Sequence, residues 1–186
     1  RVSDTLIPRE ILRIGRSDGP LEYVFSLIYA FAVGPSGEVF VQDEGEGIRR
    51  FDAQGQYLGH LARRGEGPGE IRYVVGLAAS GSGSVAAYDL GNSRITIFRG
   101  DGTTKTIRNP GGYPPYHEDG LVFHDDGSLW VGINPAVGWE ESAPHPRPVF
   151  ARVSDSGALV DTVFTPRSLG DLCPLLSMGK HRDGFW

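Results

Sequence analysis

A chain of 186 residues is long enough for one domain with a real core, and with 39% hydrophobic and 10% aromatic residues it is too apolar to stay disordered. Its formal net charge of −5 comes from scattered acidic residues, so neither the basic face of a general nucleic-acid binder nor the polybasic patch of a membrane-surface protein is expected. No stretch reaches the roughly 20 apolar residues of a transmembrane helix, and the single cysteine, Cys173, cannot form an internal disulfide.

In chain order, Arg1 is neither an initiator Met nor the start of a signal peptide, which together with an end at Trp186 in strand-like sequence suggests a processed or incomplete polypeptide. Ile11–Ile14 reads as a short strand. A first unit, residues 27–61, holds strands Tyr29–Val33, Val39–Asp43, Ile48–Phe51 and Gln56–Leu61. A second, residues 75–107, holds Gly76–Ala79, Val85–Asp89, Ile95–Phe98 and Thr103–Ile107. A third, residues 120–164, holds Leu121–His124, Leu129–Ile133, Val149–Val153 and Leu159–Phe164. A partial fourth, residues 175–186, begins with Leu175–Met178 and breaks off at Asp183-Gly184-Phe185-Trp186. Strands this short, separated by Gly, Asp, Asn and Ser, make a meander of hairpins. No amphipathic helix is apparent.

The units are copies of one another. Each third strand runs into a polar turn with glycine four residues on: Phe51 to Gly55, Phe98 to Gly102 and Val153 to Gly157. Each second strand is opened by a glycine, at Gly37, Gly83 and Gly127, spaced 46 and 44 residues apart (83 − 37 and 127 − 83). A period in the mid-forties built of strands predicts an all-β chain forming a β-propeller of four-stranded antiparallel blades, three to four of them present in a single, incomplete domain spanning 1–186. Three blades cannot close a ring of ordinary geometry. Either the natural chain continues past Trp186 or another protein covers the open sides.

The third unit departs from the pattern. Asn134–Pro148 intervenes between its second and third strands and carries Trp139, Glu140, Glu141 and His145. Long loops on rigid repeats are common binding elements, though a tolerated surface insertion would look the same. Trp139 is the best partner contact, because tryptophan buries a large area while keeping a polar handle. Tyr116, after Pro114-Pro115, joins it as a candidate. That run could be a polyproline ligand or a stiff link between blades.

One stretch carries a family resemblance. Gly65-Glu66-Gly67-Pro68-Gly69-Glu70-Ile71 followed by Asp89, Asn92, Arg94, Ile95, Phe98 and Gly102 resembles the NHL-type repeats of bacterial six-bladed β-propeller proteins, which often are secreted or lipid-anchored. The first unit keeps Asp43, Ile48, Arg49, Phe51 and Gly55 but has Glu46 where Asn is usual; the third keeps its strand openings and final turn, with Gly157. The resemblance covers Ile14 to Phe164 and implies the fold, not an activity. Asp43, Asp89 and Asn92 read as structural turn residues whose short side chains bond backbone groups, and Arg94 as a structural side chain reaching toward a neighbouring blade.

Some propellers of this kind are metal-dependent lyases with channel histidines. Here His60, His117, His124, His145 and His181 include no metal-ligand pair spacing. Only His124, followed by Asp125 and Asp126, falls on an expected inner strand. Gly65–Gly69 lacks phosphate-loop spacing and carries repelling Glu66 and Glu70, so it reads as an inter-blade connector. Asp43, Glu44 and Glu46 form a polar hairpin turn or a weak cation site. No Gly-x-Ser-x-Gly elbow occurs, and nothing nearby activates Cys173. No catalytic residue, metal ligand or cofactor is assigned.

The leading expectation is a non-enzymatic scaffold for protein partners at the periplasmic or extracellular side of a bacterial membrane. Its specific form is an extrinsic subunit of a larger membrane complex, respiratory or photosynthetic. The alternatives are a metal-dependent lyase or lactonase, and a sensor binding a sugar or peptide.

Overall fold

The computed structural model describes residues 7, 9–108, 120–133, 149–154 and 156–164. Among them, β1 (Ile28–Val33), β2 (Val39–Asp43), β3 (Gly47–Phe51) and β4 (Tyr57–Ala62) form one antiparallel sheet in chain order. β5 (Val74–Ala79), β6 (Val85–Asp89), β7 (Arg94–Phe98) and β8 (Thr104–Arg108) form a second. β9 (Leu121–Phe123), β10 (Leu129–Ile133), β11 (Val149–Val153) and β12 (Leu159–Phe164) form a third. The described helical structure is one 3₁₀ turn, Leu21–Tyr23.

A single turn design makes these meanders. Asp52 N–H donates to Gln56 O, and Gly55 N–H donates back to Asp52 O, both at 2.9 Å. The same pair of bonds recurs from Gly34 to Glu38, Ser80 to Ser84, Arg99 to Thr103, His124 to Ser128 and Ser154 to Ala158. In all six the glycine has φ between +81° and +85°, a conformation that side chains with a Cβ resist. Polar side chains finish the turns: Asp52 Oδ1 accepts from the amides of Gln54 and Gln56, and Ser80 and Ser154 Oγ accept from Ser84 and Ala158. All six turns lie at one end of the sheets. The inter-sheet connector and the β2–β3 and β6–β7 turns lie at the other.

The period of two in each strand sends alternate side chains to opposite faces. In the second sheet Val85, Ala87 and Phe98 pack with Ala32, Phe40 and Ile48 of the first sheet. Ala86, Tyr88, Ile95 and Ile107 pack with Leu121, Val131 and Ala151 of the third. Sheet two is therefore sandwiched, and its strands β5, β6 and β7 are largely buried, while its outermost strand β8 is mostly exposed. The inner strands β1, β5 and β9 stand side by side.

Two expectations are corrected. Ile11–Ile14 is not a strand: its residues alternate between exposed and half-buried as a strand's do, yet no described strand lies beside them to complete a ladder. His124 is not on an inner strand; β9 stops at Phe123 and His124 begins the following turn. Residues 175–186 and the insertion with Trp139, Glu140, Glu141 and His145 lie outside the described residues, as does Tyr116.

Candidate functional site

The repeat's polar residues converge at the connector end. Asp89, fully buried at the end of β6, accepts hydrogen bonds from the backbone N–H groups of Arg72 (3.1 Å), Tyr73 (3.0 Å) and Asn92 (3.3 Å) and from the Asn92 side chain (2.7 Å). Asn92 Nδ2 also donates to Gly65 O at 3.0 Å. Arg94 reaches the connector between sheets, donating to the carbonyls of Glu66 (3.3 Å), Gly67 (2.8 Å) and Glu70 (2.7 Å), rather than to another sheet's strands. Three side chains of sheet two thus staple residues 65–73, within which the Glu70 carboxylate folds back onto Gly67 N–H at 2.8 Å. The connector's carbonyls need donors, which Asn92 and Arg94 supply, and its amides need an acceptor, which Asp89 supplies.

Asp43 makes the matching staple in sheet one, accepting from the backbone N–H groups of Ser26 (3.0 Å) and Leu27 (2.9 Å). Its arginine partner has moved. Gly47 pairs with Asp43 as Arg94 pairs with Asp89, so Gly47 holds the Arg94 position and Arg49 lies two residues on, at the place of Thr96. Two residues is one strand period, so Arg49 keeps the same face. Its Nη2 lies 3.0 Å from Asp43 Oδ2, with side-chain exposures of 5% and 1%, its Nη1 donates to Val24 O at 2.7 Å, and its guanidinium lies over the Phe25 ring at 5.0 Å. Gly47 cannot be an arginine here: its φ is +102° and an added Cβ would collide with Ala62 O. These contacts occupy the Asp43 carboxylate that the acidic hairpin would have lent to a cation. Sequence reasoning grouped Arg49 with the repeat but missed its register; Gly47, directly before Ile48, was the available signal.

Glycines 55, 102 and 157 take their places in the left-handed turns at the opposite end. There too, an open depression of about 330 Å³ lies between the ends of the inner strands. Val33, Leu77, Ala79 and Phe123 supply its apolar lining, and His124 and Asp125 its polar rim. His124 Nδ1 lies 3.2 Å from Asp126 Oδ1. The Ser128 hydroxyl and amide are the main cause holding the Asp126 carboxyl below the usual range, and they mark it as a turn residue. Among the described residues no three His, Cys, Asp or Glu side chains group as metal ligands. The depression's size suits a small ligand, and an imidazole at an apolar mouth can exchange a proton with one.

A third polar feature sits on the edge strand β4. The Tyr57 hydroxyl and His60 Nδ1 are 2.8 Å apart, and His60 Nε2 is buried with no hydrogen-bond partner. Burial first, and then the positive charges of Arg63 and Arg49, push the His60 pKa below its ordinary 6.5.

No protein-family model and no curated protein matches the chain. Solved structures do. Virginiamycin B lyase from Staphylococcus aureus matches with a TM-score of 0.50 and 16% identity over 75% of this chain and 42% of that one. Its catalytically inactive form with quinupristin matches with 0.50 and 18% over the same shares. BF0058 of Bacteroides fragilis, described as exported, matches with 0.59 and 14% over 84% of this chain and 42% of that one. The chain has a β-propeller fold. It spans less than half the length of each of these structures, and at such identities the likeness extends to the fold alone.

Proposed function

We propose that this chain belongs to an extracytoplasmic, six-bladed propeller of NHL-like repeats that acts as a non-enzymatic scaffold for protein partners, in its specific form an extrinsic subunit of a larger bacterial membrane complex. The observation that carries this reading is one hairpin. The connection between second and third strands takes Glu44–Glu46 in sheet one and Leu90–Ser93 in sheet two, but residues 134–148 in sheet three, anchored by the paired Ile133 and Val149. Trp139, Glu140, Glu141 and His145 fall within this long insertion between two paired strands, and Tyr116 lies in the chain just before the same sheet. The description of BF0058 as exported supports an extracytoplasmic location. No helix among the described residues is long and apolar enough to cross a membrane.

The test is partner affinity in complexes isolated from source membranes. Trp139→Ala should weaken binding by tenfold or more, since an anchoring tryptophan contributes about 2 kcal/mol or more. Unchanged affinity would overturn the loop's role. A native mass spectrum showing the protein alone, in no larger particle, would overturn the scaffold.

A metal-dependent lyase or a sensor is the second reading, favoured by His124 and Asp125 at the mouth of the depression. It requires a stoichiometric metal or a small ligand in the purified full-length protein, lost or weakened in His124→Ala.

A further inference from the structure

Residues 21–25 lie on sheet one but belong to none of the described sheets. Their own backbone bonds are local: Tyr23 N–H donates to Pro20 O at 3.0 Å, Val24 N–H to Leu21 O at 3.1 Å, and Arg16 N–H to Tyr23 O at 2.8 Å. What holds them down comes from β3 and β4. Arg49 Nη1 donates to Val24 O at 2.7 Å and to Glu22 O at 3.4 Å, and its guanidinium lies over the Phe25 ring at 5.0 Å. Phe51, fully buried, packs against Tyr23 and Phe25 with ring centroids 5.9 and 6.0 Å away. Tyr57 N–H donates to the Tyr23 hydroxyl at 3.0 Å, and the Tyr57 ring lies 5.7 Å from Phe51. A segment outside every ladder, held by so few contacts, opens more easily than a strand.

One imidazole touches both anchors. His60 is the cross-strand partner of Arg49, and its Nδ1 lies 2.8 Å from the Tyr57 hydroxyl. Its Nε2 is buried without a hydrogen-bond partner among the described residues. A neutral ring tolerates that better than a charged one, because an imidazolium donates from both nitrogens and needs an acceptor at each. The groups facing His60 offer little relief. Burial first, then Arg63 just past β4 and Arg49 on β3, oppose its protonation, and Glu46 in the β2–β3 turn favours it less strongly. Asp43 on β2 is already paired with Arg49 at 3.0 Å. The segment above brings Tyr23, Arg16 over the Tyr23 ring at 5.6 Å, and Glu22, whose carbonyl Arg49 uses.

We infer that His60 is an acid-operated latch: a proton taken from solvent onto its ring loosens residues 21–25 from sheet one and uncovers Phe51. The new charge is hydrated when the ring turns outward, which draws Tyr57 away from Tyr23 and Phe51. Gly59 gives β4 room for this, with φ at +116° and open space around it, and the β3–β4 register already shifts on both sides of the Arg49–Arg50 step. The sign follows from linkage. The loosened form binds the proton at the ordinary 6.5 and the closed form only below it, so release grows as pH falls below 6.5. The latch involves neither the insertion nor the depression, so it can fail while the scaffold reading stands.

The experiment is amide hydrogen exchange on the full-length protein at about pH 7.5 and about pH 5.5, corrected for the intrinsic pH dependence of exchange. At the lower pH the amides of residues 23–25 should exchange several-fold faster, up to roughly tenfold, the most that one group allows one unit below its free value. Those of β6 should not change. His60→Gln, neutral at both pH values, should abolish the response. In the wild-type protein the His60 ring resonances should titrate over the same pH range as the exchange, which tests the latch even where the variant does not fold. No acceleration at residues 23–25, an equal acceleration in β6, or a response that persists in His60→Gln would each overturn the latch.

Discussion

At the residue scale, the polar groups that matter most to this fold are buried and paired. Taking Asp43 away leaves the Arg49 guanidinium enclosed by Phe25 and backbone, with its ion-pair partner gone. Asp43→Ala should therefore destabilise by about 3–5 kcal/mol, the usual cost of orphaning a buried charge. Asp52→Ala, which loses only exposed turn bonds, should cost about 1 kcal/mol. Chemical denaturation of both variants would check the contrast, and equal losses would mean the buried pair is not important. His60 provides a pH test. Its pKa is lowered in the fold, so the unfolded chain binds the proton more readily, and stability is fully present above the ordinary 6.5. Stability should fall as pH drops from 6.5 toward the lowered value, and thermal melts of His60→Gln should lose that slope. The turn glycines were legible in the sequence because each closes its own turn, and the Asp89–Asn92 pair because the two bond each other three residues apart. The targets of Arg94 were not, since the Glu66–Glu70 carbonyls come within its reach only when the connector folds back.

At the element scale, one turn geometry repeated six times does most of the organising. Because the requirement for φ > 0 is local, glycine at each fourth turn position can be read without any knowledge of packing. Its cost on substitution is not so uniform. Gly102→Ala meets open space and should lose about 1–2 kcal/mol from backbone strain alone. Gly55→Ala has the same φ but would place its Cβ 3.1 Å from the Leu12 side chain, adding overpacking of about 1 kcal/mol or more. Equal destabilisation of the two variants would mean that the segment holding Leu12 is not docked on the Gly55 turn. That segment also shows why Ile11–Ile14 read as a strand. The period-two pattern was real, but a strand is defined by its neighbour, and the pattern of one segment does not reveal whether a neighbour is present.

For the whole molecule, stability depends on each sheet face finding a cover. Sheet two has both faces covered, and its inner strand β5 is almost entirely buried. Among the described residues, the outer half of sheet one is covered by residues 12–25. Deleting residues 7–20 would remove the half-buried Leu12 and Ile14 while leaving the Ser26–Leu27 staple intact. The deletion should lower the unfolding free energy by about 2–3 kcal/mol, the hydrophobic value of two partly buried aliphatic side chains. A deletion with an unchanged denaturation midpoint would mean that this segment merely rests on the surface. The depression and the residues that flank the insertion lie at opposite ends of the sheets, since His124 follows β9 among the glycine turns while Ile133 and Val149 stand at the connector end.

By itself the sequence determined the repeat, the four-stranded meander, the places of its turns and the all-β propeller class. These rest on local chemistry: β-branched and aromatic runs at period two, and glycines where φ must be positive. Tertiary structure decided the rest. It moved His124 off its strand, placed Gly47 rather than Arg49 in the Arg94 register, turned Arg94 onto the connector, and left Phe31 exposed where Leu77 is covered. Each of these depends on what another segment brings alongside. A repeat states what every unit requires of its neighbours, but only the folded chain shows which neighbours are there.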